Sequence, residues 1–176
     1  MSRLLSACAE SGAELAFARV EPRANPEAAP PSPLETDHIY CVQDDIEFFP
    51  TVGYALLRSH CAVATGNLFF SRRLAEHVNG FDHHADFYGW DFALRCLLVT
   101  EPLFVPEPLL FHRLRAEAFS QRQRRTADQI ESILKNYLFL CRNRRVLNPL
   151  APSPAWGPFF QSFVQASHYS RYLAQP

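Results

Sequence analysis

"CAVATGNLFFSRRLAEHVNGFD", residues 61–82, sets an apolar run beside a small polar turn and follows it with a punctuated helix. Val63 to Phe70 reads as a buried strand, reached through a helix or an extended connection in "FFPTVGYALLRSH". A serine just before a helix accepts a hydrogen bond from a free N–H of the first turn. Ser71 is therefore the cap of the helix "RRLAEHV". Asn79-Gly80 ends it, because asparagine and glycine tolerate the left-handed conformation of a helix stop.

Working outward, residues 2–10 read as an Ala/Leu-rich helix stopped at Ser11-Gly12, and "AELAFARVE" alternates as a short strand does. "PRANPEAAPPSPLETD" holds five prolines and reads as a surface loop. After residue 82, "WDFALRCLLV" reads as a helix on which Asp91 and Arg95, four apart, share a face. "EPLFVPEPLLFHRLR" has prolines bounding short apolar runs, the pattern of a strand at a sheet edge. Thr126 and Gln129 form a capping box for a helix over about 127–142. Its apolar stripe is Ile130, Ile133, Leu134, Tyr137, Leu138 and Cys141. The basic run "RQRRTAD" reads as the solvated entrance to that helix, and the Pro- and aromatic-rich tail as a segment that packs back on the body.

Strands separated by helices make the class mixed α/β. The 176 residues fit one core, and the hydrophobic share of 48% and charged share of 20% are those of a globular chain. A net charge of −1 gives no electrostatic reason to expect nucleic acid as a partner. The five cysteines are scattered, and no pair has CxxC spacing, so neither a zinc site nor a disulfide framework is indicated. Reduced thiols acting as small core residues fit a cytosolic chain. No apolar run reaches the ~18 residues of a membrane span, and "MSRLLSACAESG" is too polar for a signal peptide.

Thr65-Gly66-Asn67 places a glycine and two short polar side chains beside an apolar strand end. That suits close backbone approach to a sugar or phosphate. It equally suits a tight turn in which Thr and Asn satisfy backbone groups. The order of signals is more specific than any one of them. TGN, an arginine-bearing helix, a Gly-Phe turn, a Trp-Asp segment and a Pro-bounded strand occur in sequence over residues 48–115. In that order they resemble family 2 glycosyltransferases of the GT-A fold, in particular bacterial enzymes of surface-polysaccharide and O-antigen synthesis.

The resemblance implies sugar transfer from a nucleotide-sugar donor to a saccharide or lipid-linked acceptor, with a divalent metal, Mg or Mn. It implies that Thr65, Gly66, Asn67, Trp90 and Arg115 lie at substrate, and that a carboxylate just before the tryptophan acts as base. Here that position is Gly89. The catalytic candidates are then Asp91 and Asp86. Asp91 matches the family's second aspartate, whose expected part is also helix capping and pairing with Arg95, and Asp86 is a substitute base if the loop is re-routed. Arg115 stands where the family carries a histidine near the diphosphate, and His112 falls on a variable position. Arginine can grip a phosphate but cannot ligate a metal.

"MSRLLSACAESGAELAFARVE" resembles the helix and strand that follow the family's metal-binding DXD motif, so metal ligands are not evident in the chain. Asp44-Asp45 reads as a solvated acidic turn. The expectation is a partial GT-A fold lacking the N-terminal nucleotide-binding strands: residues 1–120 the acceptor-side half, 121–176 a helical extension packed on it. A second chain supplying the donor half is an implied partner. The implied location is the cytoplasm or the inner face of the membrane. The alternative is a catalytically inactive remnant acting as a binding or interaction module. A sheet lacking strands also predicts an exposed edge prone to pairing.

Overall fold

The computed structural model describes residues 2–23, 33–82, 87–113 and 119–167, with the backbone alone for 33–35 and 119–128. These residues form seven α-helices and a three-stranded mixed sheet of order β2-β1-β3. In chain order the α-helices and strands are α1 (Ser2–Ser11), β1 (Leu15–Arg23), α2 (Pro33–Asp44), α3 (Val52–Arg58), β2 (Phe69–Phe70), α4 (Arg72–His77), α5 (Tyr88–Leu97), β3 (Leu103–Arg113), α6 (Phe119–Asn143) and α7 (Pro158–Ala166).

Local punctuation works as the sequence leads one to expect. Gly12 is left-handed at φ 73° and its N–H donates to Cys8 O at 2.8 Å, closing α1. Ser71 Oγ accepts from Leu74 N at 3.0 Å and caps α4. Asn79 and Gly80, at φ 62° and 64°, end it, with Gly80 N on Ala75 O at 2.8 Å. Both ends of α4 are thus fixed by residues adjacent in sequence.

Strand β1 is the centre of the sheet, with Leu15 to Ala18 fully buried. It pairs parallel with β3 and, only at Leu15↔Phe70 and Ala16↔Phe69, antiparallel with β2. The β1–β3 register slips on both sides of Arg19, which lies opposite Pro108. Proline brings no N–H to a ladder, so such a strand bulges and sits at an edge. β3 is accordingly an edge strand.

Three expectations are corrected. The strand read over Val63–Phe70 shrinks to Phe69–Phe70: Val63 takes a left-handed φ of 66°, and Thr65–Asn67 is a 3-10 turn. The physical reason is that the Asn67 side chain, rather than backbone, continues the pairing along β1. Of the loop read over 22–37, residues 22–23 belong to β1 and 33–37 to α2, while 24–32 lie outside the described residues. A proline in the first helical turn loses no hydrogen bond, and β2 leaves one side of β1 without a strand at Pro22. Finally, α6 starts at Phe119, so Thr126 and "RQRRTAD" lie inside it. Residues 119–128 contain no glycine or proline to stop propagation past the cap motif.

Five of the six stripe residues read on α6 are buried: Ile133, Leu134, Tyr137, Leu138 and Cys141 are at most 9% exposed, and Ile130 is partly buried. They enter one cluster with Phe17 of β1, Leu56 of α3, Phe92 of α5, and Phe160 and Val164 of α7. The C-terminal segment closes that core through an aromatic group in which Tyr54 meets Trp156, Phe159 and Phe163 edge-on at 4.9–5.2 Å. Among the described residues, no helix is long and apolar enough to cross a membrane.

Candidate functional site

The two motifs that carry the resemblance, 24 residues apart, meet in space. The Thr65–Asn67 turn packs against the first turn of α5, where Gly89 is buried. A Cβ on Gly89 would overlap Thr65 Oγ1 and lie 3.0 Å from Thr65 Cβ and 3.2 Å from its Cα. Ordinary carbon contacts are about 3.5–4.0 Å. Gly89 is therefore a packing requirement: the place where the resemblance puts a carboxylate is filled by Thr65.

Asn67 is 4% exposed and committed to backbone. Its Oδ1 accepts from Ala18 N at 3.1 Å, and its Nδ2 donates to Ala18 O at 2.7 Å and Ala62 O at 3.0 Å. Gln43 does the same one step along: Oε1 accepts from Val20 N at 2.9 Å and Nε2 donates to Cys61 O at 3.1 Å. The two side-chain amides continue the edge of β1 where β2 ends, satisfying groups whose burial unpaired is costly. Gly66, in contrast, is exposed, and no described residue lies within 4 Å of a Cβ placed on it.

Trp90 is 3% exposed, and its Nε1 donates to Leu56 O at 2.7 Å. Its ring stacks on His60 with centroids 6.0 Å apart. His60 Nε2 is buried without a hydrogen-bond partner among the described residues, and desolvation lowers the imidazole pKa to about 4, so the ring is neutral near pH 7. Asp91, 5% exposed, accepts from Arg95 Nε at 2.8 Å and from Asn136 Nδ2 at 3.4 Å. Arg95 Nη1 in turn donates to Val78 O. Asp91 is thus the inner member of a pair tying α5 to the end of α4 and to α6.

Asp86, Arg115, His83 and His84 lie outside the described residues. Asp44, at the end of α2, is ion-paired with Arg19 and half-exposed, and Cys41 Sγ lies 3.8 Å from Asp45 Oδ2. The described residues bring together no group of three or more side chains able to hold a metal. They do not fit the divalent cation that the resemblance implies, and no chemical step is assigned to one.

Sequence reasoning missed three polar residues. Gln43 and His60 flank the turn, and Glu101 receives Gly53 N at 2.7 Å and Asn148 Nδ2 at 3.0 Å. Burial raises the Glu101 carboxyl pKa above its ordinary value. No spacing or cap pattern marks these side chains, whose partners are 18 to 48 residues away in the chain.

Comparison with protein-family models, curated proteins and solved structures found no match for this chain.

Proposed function

We propose that this chain is a glycosyltransferase-like protein of the GT-A type, supplying the acceptor-side part of a site that moves a sugar from a nucleotide-sugar donor to a saccharide or lipid-linked acceptor. The observation that carries the reading is the packing of the TGN turn on the Tyr-Gly-Trp-Asp start of α5. It brings the two ordered motifs into one place, with the exposed Gly66 and half-exposed Tyr88 beside them. Donor and metal contacts would come from residues other than those described, in this chain or in a second one. Cytoplasmic action, at or near the inner face of a membrane, belongs to the same proposal.

Gly89 specifically favours a second reading, an inactive relative kept as a binding or interaction module. General-base catalysis needs a group within hydrogen-bond reach of the acceptor hydroxyl, and Thr65 fills the expected place. Nucleotide-sugar binding, with and without manganese, and transfer to a saccharide acceptor separate the two. Saturable donor binding with turnover lost in Asp86→Asn supports the enzyme. Saccharide binding without turnover supports the module, and binding of neither class overturns both.

A further inference from the structure

A cleft of about 480 Å³ opens between the turn after α4, the C-terminal half of α5 and the last turns of α6. Ligand clefts run from roughly 300 to 1,000 Å³, so one sugar-sized molecule fits. Val78, Phe81 and Leu140 form its apolar wall; Arg95, Asn136 and Arg144 supply the polar groups. None of Thr65, Gly66, Gly89 or Trp90 lines it.

Phe81 and Arg95 are held in place before any ligand arrives, while Arg144 is exposed. Phe81 is fixed by rings on three sides, Phe92 at 4.3 Å, Phe70 at 5.8 Å and Tyr88 at 5.9 Å. Arg95 is locked by Asp91 and Val78 O, so that pair adds no net charge. Arg144 has no ion pair with a described carboxylate, and it also lines a smaller extension of about 80 Å³ together with Arg145 and His77. Among the described lining residues, Asp82 of the larger space is the one carboxylate. Two arginines at a helix C-terminus also answer the helix dipole. That role needs neither an aromatic wall nor a concave floor.

We propose that this cleft binds a small organic anion, a carboxylate- or phosphate-bearing molecule with a sugar-sized body, its charge on Arg144 and its ring against Phe81 and Leu140. Arginine takes either oxyanion in a forked, charge-assisted contact. The carboxylate and the phosphate are therefore arms of one test. The site is separate from the TGN turn and stands whether or not the chain transfers sugars.

The full chain, ¹⁵N-labelled, is titrated with glucose 1-phosphate, glucuronate, inorganic phosphate and glucose. Saturable shifts are expected at the Asn136 side-chain amide and Arg144 with one of the two organic anions, weakening as salt is added. Arg144→Gln should weaken binding by roughly tenfold or more, given the strength of charge-assisted hydrogen bonds. Arg72→Gln, on an exposed face of α4, should leave it unchanged. Should Arg144→Gln not fold, the location of the shifts in the unaltered protein decides. No saturable shift by about 10 mM, a regime weaker than useful affinity, overturns the proposal. So does glucose or inorganic phosphate binding as tightly as the organic anions, or a folded Arg144→Gln that binds unchanged.

Discussion

The side-chain amide of Asn67 pairs with both backbone groups of Ala18, as a residue of a neighbouring strand would, at 3.1 and 2.7 Å. Asn67→Ala leaves the N–H and C=O of a buried central strand without these partners. Each unsatisfied buried group costs about 1–3 kcal/mol, so urea unfolding should report a loss of about 2–4 kcal/mol. Asn67→Ala with Gln43→Ala should cost less than the sum if the opened edge admits water to both positions. The doubly altered chain should also associate, because an unpaired edge recruits other strands; sizing chromatography reads that directly.

Gly89 and Thr65 give a second test. Gly89→Ala should destabilise the protein by about 1–3 kcal/mol, the usual cost of overpacking. Thr65→Gly should relieve most of that loss in the double variant, a coupling that a double-mutant cycle measures. Gly89→Asp, which restores the carboxylate that the resemblance expects, should weaken folding and bring no sugar transfer beyond that of the unaltered chain. A stable, active Gly89→Asp protein would show that Thr65 yields easily.

His60 sets an acid limit. Its folded pKa of about 4 lies below the ordinary histidine value of 6.5, so between these values the unfolded chain binds more protons. Stability should therefore fall as pH drops from about 6.5 towards 4. His60→Leu should flatten that slope in thermal melts taken across the same window. An unchanged slope means that the ring finds water or a partner on protonation.

Glu101 acts in the opposite sense. Its pKa is raised in the folded state by burial, so the folded protein holds the proton to higher pH than the unfolded chain. The stability linked to it is present below the ordinary carboxylate range and declines as pH rises through the raised value. Glu101→Gln should remove this decline. It should also loosen residues near Asn148, since an amide cannot accept as a carboxylate does from both Gly53 N and Asn148 Nδ2.

The thiols divide by burial. Burial pushes the Cys61 and Cys96 thiols up, Cys96 to about 12 and Cys141 to about 11, while Cys41 is exposed. The thiolate is the reactive form. Cys41 should react first with a disulfide reagent, and Cys61 and Cys96 only after denaturant is added. Mass spectrometry of the modified peptides identifies the order.

Sequence alone determined what neighbours in the chain decide. The Ser71 cap, the Asn79-Gly80 stop, the Asp91–Arg95 pair and the stripe on α6 involve residues one to four apart, or one helical face repeated. It also put a glycine where a base was expected. What tertiary structure decided is why. Thr65 occupies the space that a side chain at 89 would need, a contact across 24 residues that no local pattern carries. The TGN segment was legible as a turn with polar side chains, and both of its readings were open. Only the fold, by ending β2 after two residues, gave Asn67 the bare edge of Ala18 to satisfy. A buried amide bonds whatever backbone group lies nearest, and that group is chosen by packing rather than by the residues on either side.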